Sequence, residues 1–540
     1  MYRVVFYIPI IIYINFFLIC CGIEKPLITA IDPKIGTQGQ RLTIMGENFG
    51  KERGESFVLI GGVIPTQSSY FEWTDNKIVL RVPDFGESGL IYVNRNNHKS
   101  NPVLFSTQAA MPAVSLKKSN NSLFVSSVNP SAASVGQLIT VNGGGFNNLS
   151  EGSGVYFSWG VETHGFPITE TGVPMIKAEN HWAVYEAWDE REIRLRVPDG
   201  ASSGIIEVRT PLGKSNSIPF EVSYKNNSKI IKNKKTYSLF YSVDINIEKS
   251  SPSGSLYVWL PRPVTTAYQL NKEVLNLNIQ PFINDYRGTS LFRFLNLETK
   301  ANRQIAASYL VDVYEIETKI TADTVRQNNL SLIDKTLVLP SALIPSGKKE
   351  IIDWAKQVTG REQNPFINAR SLYRAMLKDI SITSTLKQGG ALDAMNLKSA
   401  DPYMAALLYC ALCRAAGIPA IPVSGVLVDK RQQTVNHYWV MFWIDNYGWV
   451  PVDTALGAGA VNTQFNLIEN PADYYFGNLD NQHIAFSFGE TGLSQMDVRG
   501  RTISMDRSYA LQNIWEESLG GLESYSTHWS DINITGVYSN

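Results

Sequence analysis

The C-terminal half of this 540-residue chain carries the helix-forming stretch Leu407–Ala420, which reads LLYCALCRAAGIPA. The apolar run spans several turns, and the Gly-Ile-Pro at 417–419 is a typical helix stop. Upstream, Asp401 and Pro402 form a typical helix start, with an aspartate N-cap followed by proline at the first helical position. The sequence therefore predicts a helix over Asp401–Ala416.

Predicted strands and further predicted helices flank this helix in the sequence. Asn436–Val440 reads NHYWV and Gly448–Asp453 reads GWVPVD, and both segments have the composition of buried strands. We expect strands at Ala420–Val428, His437–Ile444 and Trp449–Val452, and further helices at Lys349–Val358 and Pro365–Asp379. This part of the chain is thus predicted to be an α+β domain.

The order helix, histidine strand, aspartate strand suits acyl transfer by cysteine, which needs a thiolate, an imidazole and an orienting carboxylate. The three segments resemble the transglutaminase-like superfamily, with its papain-like core, over residues 330–490. The resemblance implies His437 as the base and Asp453 as the residue that orients it. It places the nucleophile twelve residues before Arg414, where this chain has Pro402.

Proline at this position removes two catalytic groups. It has no nucleophilic side chain, and it has no backbone N–H to serve the oxyanion hole, a loss that alone typically costs about 10²–10³ in rate. Ser399, Tyr403, Cys410 and Cys413 are the alternatives for a relocated nucleophile. Side chains expected at the cleft are Asp401, Tyr403, Trp439 and Trp449. His437 and Asp453 are expected to serve structure or ligand binding as a hydrogen-bonded buried pair, with residual catalysis as the alternative. His98, His483 and His528 receive no role.

The N-terminal part contains an internal repeat. The segment from Ile31 to Phe49 returns 97 residues later as Val128 to Phe146, with the same proline, the same Gly-Gln pair and a glycine-rich turn before the phenylalanine. Each copy later carries a tryptophan and a Val-Pro-Asp sequence, at 82–84 and 197–199. The copies resemble IPT/TIG domains, which are immunoglobulin-like β-sandwiches, over residues 26–106 and 123–223.

The segments between the repeats and the core lack a recognisable catalytic pattern. The second copy has an insertion with His164, His181, Trp182 and Tyr185, which is either a decorated loop or a binding loop. The lysine-rich segment 225–235 is interpreted as a linker. Alternating strands over 236–324 predict a third β-sandwich, and residues 491–540 are assigned to a C-terminal extension.

The N-terminus has the features of an export signal. Residues 4–19 are almost wholly apolar, and the run is short for a membrane span. It ends in a sequence that resembles a bacterial lipobox, with Cys21 as the lipidation residue. We therefore expect residues 1–21 to be a signal peptide and the protein to be exported and membrane-anchored in the cell envelope, either periplasmic or surface-exposed.

Composition limits the possible partners. A formal net charge of −1 gives no electrostatic reason to expect a nucleic-acid partner. Cys410 and Cys413 have no further cysteine or histidine pair nearby in sequence, so we expect no metal and no cofactor. The sequence favours a lipoprotein whose transglutaminase-like domain is not catalytic and binds a polypeptide or a peptidoglycan-type ligand, or acts as a scaffold. The alternatives are an active amidase, peptidase or crosslinking enzyme with a relocated nucleophile, and an adhesin acting through its IPT/TIG modules.

Overall fold

The computed structural model describes residues 25–539, apart from 34, 37–39, 61–62, 67–68, 84–88, 97, 108–122, 148–152, 161–174, 179–184, 224–228, 329–334, 461–467 and 498. The signal peptide, Cys21, His164, His181 and Trp182 therefore lie outside the described residues. The chain divides into two compact units, Met1–Ala113 and Val114–Asn540. Within the described part of the chain, no helix is long and apolar enough to cross a membrane.

The first unit is a β-sandwich. Its strands are β1 Leu27–Asp32, β2 Ile35–Gly36, β3 Arg41–Glu47, β4 Phe57–Ile60, β5 Tyr70–Trp73, β6 Lys77–Arg81, β7 Gly89–Arg95, β8 His98–Lys99 and β9 Val103–Thr107. One sheet has the order β1-β3-β6-β5, and the other has the order β2-β9-β7-β4 with β8 beside β7. In β3 and β6, buried and exposed residues alternate, so that each strand gives one face to the core between the sheets.

The second sandwich repeats this plan within the second unit. Its strands are β10 Phe124–Asn129, β11 Ala132–Ala133, β12 Leu138–Gly144, β13 Gly154–Trp159, β14 Met175–Lys177, β15 Tyr185–Trp188, β16 Glu192–Arg196, β17 Ala201–Thr210, β18 Gly213–Lys214 and β19 Ile218–Val222. The order β10-β12-β16-β15 matches β1-β3-β6-β5 strand for strand. The internal repeat seen in the sequence is therefore also a structural repeat.

A third sandwich begins earlier than expected. Its first strands are β20 Lys229–Ser250, β21 Ser255–Pro261, β22 Gln269–Leu277, β23 Ile283–Tyr286, β24 Thr289–Phe294 and β25 Asn302–Thr318. The linker interpretation of residues 225–235 is wrong for its described part, because residues from Lys229 onward pair with β25. Lys232 pairs there with Glu317 across the two strands at 2.5 Å, so its charge is matched by the neighbouring strand.

The α+β core follows the sandwich strands. Its elements are α1 Lys349–Thr359, α2 Pro365–Asp379, β26 Ser381–Ile382, α3 Ala391–Leu397, β27 Ser399–Ala400, α4 Pro402–Ala415, β28 Ala420–Val428, β29 Thr434–Ile444, β30 Gly448–Val452, α5 Thr454–Gly457, α6 Pro471–Tyr474, β31 Asn478–Leu479 and β32 His483–Phe488. The main sheet has the order β30-β29-β28-β32. Helix α4 packs against β28 and β29, and nearly all of its residues are buried.

The segment after the core completes the third sandwich. Its strands are β33 Arg501–Ile503, β34 Glu516–Leu519, β35 Leu522–Trp529 and β36 Asn533–Ser539. Strands β35 and β36 both pair with β20, and β34 pairs with β21. The region expected to be an extension, 491–540, therefore supplies strands to the sandwich that was assigned to 236–324.

Candidate functional site

The N-terminus of α4 is built around the buried carboxylate of Asp401. This side chain is the N-cap, and its Oδ1 accepts a hydrogen bond from the backbone N–H of Met404 at 2.9 Å. Pro402 occupies the first helical position, as the sequence predicted. The position that the family resemblance gives to the nucleophile thus serves here as a well-formed helix start.

Arg507, from the segment after the core, lies across this helix start. Its guanidinium forms an ion pair with Asp401 Oδ2 and lies 4.7 Å from the centre of the Tyr403 ring. The backbone carbonyl of Arg507 accepts a hydrogen bond from the Asn436 side chain at 3.4 Å. Arg507 therefore connects the residue before Pro402 with the residue before His437.

Strand β29 presents different side chains to its two sides. Tyr438 packs edge-on against Tyr403 at 5.0 Å and belongs to the apolar cluster that contains α4. Its neighbour His437 lies on the other side, stacked 6.3 Å from Trp439, which belongs to the cluster that faces the second and third sandwiches. Since strand side chains alternate between faces, the imidazole of His437 and helix α4 lie on opposite faces of the sheet.

Two histidines share the carboxylate of Asp453. His437 Nε2 lies 2.5 Å and His483 Nε2 lies 3.1 Å from Asp453 Oδ2, while Asp453 Oδ1 accepts the backbone N–H of Leu456 at 2.8 Å. The other nitrogen of His483, Nδ1, lies 2.9 Å from Asp480 Oδ1. His437 is 3% exposed, and Asp453 and His483 are fully buried, so the dyad belongs to a closed network of two imidazoles and two carboxylates.

The charges of this network follow from its contacts. Burial lowers the pKa of His483, but Asp480 and Asp453 outweigh burial and raise it to about 9. Burial likewise favours the neutral form of Asp453, yet His437 and His483 hold the pKa of this carboxyl well below its usual range. Both ring nitrogens of His483 therefore carry protons at neutral pH, and each donates to a carboxylate.

The alternative nucleophiles are poorly placed for chemistry. Cys410 and Cys413 are fully buried, eight and eleven residues along α4 from Pro402, which corresponds to about 12 and 16 Å. Burial raises the pKa of Cys410 to about 12 and also raises the pKa of Cys413. Burial raises the pKa of Tyr403 as well, and the Ser399 hydroxyl donates to the Ser381 carbonyl at 3.4 Å.

A second polar cluster lies where the second sandwich, the third sandwich and the core meet. Asp199, from the repeated Val-Pro-Asp sequence, forms a largely buried ion pair with Lys229 at 2.5 Å and accepts the backbone N–H of Trp449 at 3.3 Å. A cavity of about 710 Å³ lies beside this junction, and its wall includes the aromatic side chains of Tyr268, Trp443, Trp449 and Phe488. Trp449 is thus part of this junction and contacts Trp443 and Phe488.

The structure brings together only part of the set expected from the sequence. His437, Asp453 and Trp439 lie in one buried group, and Asp401 and Tyr403 lie together at the start of α4 under Arg507. His483 was given no role from the sequence. The only local signal was the Asp480-x-x-His483 spacing, which by itself is too common to point to a network.

We expect replacement of Arg507 by alanine to destabilise the protein by about 1–3 kcal/mol, because Asp401 would lose a charged hydrogen-bond donor while staying buried. Chemical unfolding measures this difference. The matched control is Arg499→Ala, since Arg499 is 83% exposed and its pairing with Asp497 lies at the surface, where ion pairs contribute little to stability. Equal effects of the two substitutions would contradict the bridging role of Arg507.

Comparison with known families agrees with this architecture. Residues 352–454 match the model of the transglutaminase-like superfamily, and residues 26–107 match the model of the IPT/TIG domain. The chain contains a transglutaminase-like core. Its second sandwich lies outside both matched ranges but has the strand order of the first. Comparison with curated proteins gives no match.

Similar solved structures share little sequence with this chain. A structure from Cytophaga hutchinsonii, described as a candidate cysteine protease, is 14% identical, covers 58% of this chain and 92% of its own, and has a TM-score of 0.37. The periplasmic domain of TgpA from Pseudomonas aeruginosa is 15% identical, covers 41% of this chain and 89% of its own, and has a TM-score of 0.23. SGBP-B from a xyloglucan utilization locus of Bacteroides uniformis is 11% identical, covers 55% of this chain and all of its own, and has a TM-score of 0.15.

Proposed function

We propose that this protein is an exported lipoprotein whose transglutaminase-like core has lost thiol catalysis and serves as a binding or scaffolding domain. The observation that carries this proposal is Pro402 at the nucleophile position, with the adjacent Asp401 bound by Arg507. A prolyl residue cannot attack an acyl carbon, and it cannot donate a backbone hydrogen bond to an oxyanion.

The burial of His437 and the hydrogen bonds of Asp453 also support a non-catalytic core. A general base must reach the proton of its nucleophile, whereas His437 is almost fully buried, on the face of the sheet away from α4. Asp453 is shared with the imidazolium of His483, so its negative charge is already balanced. A carboxylate in this position stabilises the buried network and polarises His437 less than an unshared one would.

Purified protein tests the proposal directly. We expect hydrolysis of glutamine-containing and peptidoglycan-derived peptides, and amine incorporation into casein, to be no faster with the native chain than with His437→Ala. Amide turnover by the native chain that is lost in His437→Ala would overturn the proposal. So would an acyl-probe adduct mapped to Ser399, Tyr403, Cys410 or Cys413, because it would identify a relocated nucleophile.

The variant Pro402→Cys shows whether the remaining geometry is still competent. It restores both the thiol and the backbone N–H at the start of α4, where the helix dipole lowers a thiol pKa. Amide turnover gained by Pro402→Cys and absent from the native chain would show that Pro402 alone accounts for the loss of catalytic activity. An unreactive thiol in this variant would show that the base geometry has changed as well.

The binding role is supported by the cavity at the three-domain junction. Its volume, about 710 Å³, lies in the range of small-molecule and peptide side-chain sites, and junctions between domains are common places for such sites. We infer that it accepts part of a polypeptide or a peptidoglycan-type ligand, with aromatic walls at Trp443, Trp449 and Phe488. Loss of such binding in Trp449→Ala, with the fold retained, is the expected result.

An adhesin acting through the first IPT/TIG module is a second candidate function. Phe71 is 44% exposed there, and the guanidinium groups of Arg41 and Arg81 lie 4.6 and 5.7 Å from its ring. Exposed aromatic and arginine side chains are enriched at protein interfaces. Binding retained by residues 26–107 alone would favour this function over one located in the core.

A further inference from the structure

The network around Asp453 has a second chemical property. The ligand atoms Nε2 of His437, Nε2 of His483 and Oδ2 of Asp453 all lie within 4.8 Å of one another. Two imidazoles and one carboxylate are ligands that Zn²⁺ and related transition metals accept. Hydrogen bonds to the other polar atoms of these side chains orient the three atoms toward one another.

Two of these side chains, His483 and Asp453, also form hydrogen bonds through the polar atom that is not a proposed ligand. His483 Nδ1 lies 2.9 Å from Asp480 Oδ1, which directs Nε2 of the same ring toward Asp453. Asp480 is fixed in turn by the Tyr475 hydroxyl, which donates to its Oδ2 at 2.9 Å, and by the backbone N–H of Gln482. A carboxylate behind a histidine, itself hydrogen-bonded, is the usual support of a metal-binding imidazole.

Asp453 is oriented in the same way. Its Oδ1 accepts the backbone N–H of Leu456 at 2.8 Å, so that Oδ2 is left to face both imidazoles. Gly425, on strand β28, pairs with His437 on one side and with Ala485 on the other. A Cβ at Gly425 would lie 1.9 Å from the backbone oxygen of Ile484, so glycine here allows β28 and β32 to approach closely and bring His437 and His483 to the same carboxylate.

We propose that His437 Nε2, His483 Nε2 and Asp453 Oδ2 form a binding site for a divalent transition metal of the zinc class, with Asp480 as its supporting carboxylate. This goes beyond the proposed function and does not depend on it, since the ligands would bind the metal whether or not the core is catalytic. It also replaces the expectation, drawn from the sequence, that the protein binds no metal.

Two of the three separations between the ligand atoms can be compared with those expected around zinc. Two ligands bound tetrahedrally at about 2.0–2.1 Å from zinc lie about 3.3 Å apart. The separation between His483 Nε2 and Asp453 Oδ2, 3.1 Å, is already close to that value. The separation between His437 Nε2 and Asp453 Oδ2, 2.5 Å, must widen by about 0.8 Å, which a shift of the His437 ring can provide.

The proton balance is simple. Metal binding needs an unprotonated Nε2 on each ring, so the Nε2 proton of His483 leaves to solvent, while the proton on Nδ1 stays on the ring and keeps its hydrogen bond to Asp480. His437 would likewise bind through an unprotonated Nε2, with its ring proton on Nδ1. A divalent ion would therefore displace the Nε2 proton of His483, and metal binding should be weaker at acidic pH.

Titration of chelator-stripped full-length protein with Zn²⁺, in competition with a chromophoric chelator, tests the proposal. We expect one equivalent of Zn²⁺, at least 100-fold weaker binding in His483→Gln, and binding weakened about 10–100-fold in Asp480→Asn. The control variants are His98→Ala, His528→Ala and the double variant His164→Ala with His181→Ala, which should bind like the native chain.

Cobalt substitution makes the test independent of folding defects in the variants. In the native chain, Co²⁺ should give visible d–d bands without a thiolate charge-transfer band. Such a band would place the metal at Cys410 and Cys413 and overturn the proposal. The proposal also fails if the native chain binds no Zn²⁺ at 100-fold molar excess, or if folded His483→Gln binds as tightly as the native chain.

Discussion

Replacing Asp453 by asparagine is expected to destabilise the core by about 3–5 kcal/mol, the typical cost of removing one partner from a buried ion pair. Asp453 is fully buried and accepts hydrogen bonds from both His437 and His483. An asparagine amide in this place has one oxygen acceptor and one NH₂ donor, so it cannot satisfy two imidazole donors and the backbone N–H of Leu456 together.

The pH dependence of this effect follows from the pKa shifts. The pKa of His483 is raised from 6.5 to about 9, so its stabilising contribution is complete below pH 6.5 and is lost as the pH rises through about 9. The pKa of Asp453 is lowered from 3.8, so its contribution is complete above pH 3.8 and is lost at more acidic pH. The difference between native and variant protein should therefore be largest between these limits, from about pH 4 to 6.5.

Hydrogen exchange in β29 and β30, together with chemical unfolding, would measure the loss in a chain with several domains. Asp473→Asn is the matched control, because Asp473 is 56% exposed and pairs with Arg374 at the surface. If the Asp453 variant loses no more stability than the Asp473 variant, the buried network does not contribute to the stability of the core.

Replacing Asp199 by alanine should cost a similar amount, about 3–5 kcal/mol, because Lys229 would remain buried without its counter-ion. Burial already lowers the pKa of Lys229, and Asp199 opposes that effect. In the variant the lysine would lose its proton more readily, so the loss of stability should shrink as the pH rises toward the ordinary lysine pKa.

The control for Asp199→Ala lies on the same strand as Lys229. Lys249 pairs with Glu523 at 2.5 Å, but their side chains are 67% and 54% exposed, so Lys249→Ala should cost about 1 kcal/mol or less. Thermal unfolding by calorimetry would compare the two. A pH-independent loss in Asp199→Ala would indicate that its contact with the Trp449 backbone, and not the ion pair, is the main stabilising interaction.

Local sequence signals predicted much of the core. Asp401 and Pro402 mark the start of α4 and Gly417 follows its end, and the observed helix, Pro402–Ala415, lies within one residue of the prediction at each end. The N-cap, the proline and the glycine act over one helical turn, so adjacent residues suffice to identify them. The IPT/TIG repeat was equally visible, since its turn residues recur at fixed spacing.

Contacts between distant segments could not be predicted. His483 is 30 residues from Asp453, and Arg507 is 106 residues from Asp401. Neither pair leaves a periodic pattern, because each depends on how the strands and the C-terminal segment pack in three dimensions. The burial of His437 on the face away from α4 depends on the same packing.

The lysine-rich start of β20 shows a different limit. Lys232 and Lys234 suggested a solvated linker, because charge runs usually indicate exposure. In the structure they lie beside Glu317 and Asp312 of β25, so that cross-strand pairing neutralises them. The sequence of β20 alone does not show which strand lies beside it, so this charge pairing could not be predicted.

The two-segment construction of the third sandwich has a consequence for biosynthesis. Strand β20 pairs along its length with β25, but its other edge receives β35 and β36, which are translated only after the whole core. During translation this edge therefore carries unpaired backbone groups, a state that favours association between chains. We expect this edge to need protection, for example by a chaperone, until β35 and β36 are available to pair with β20.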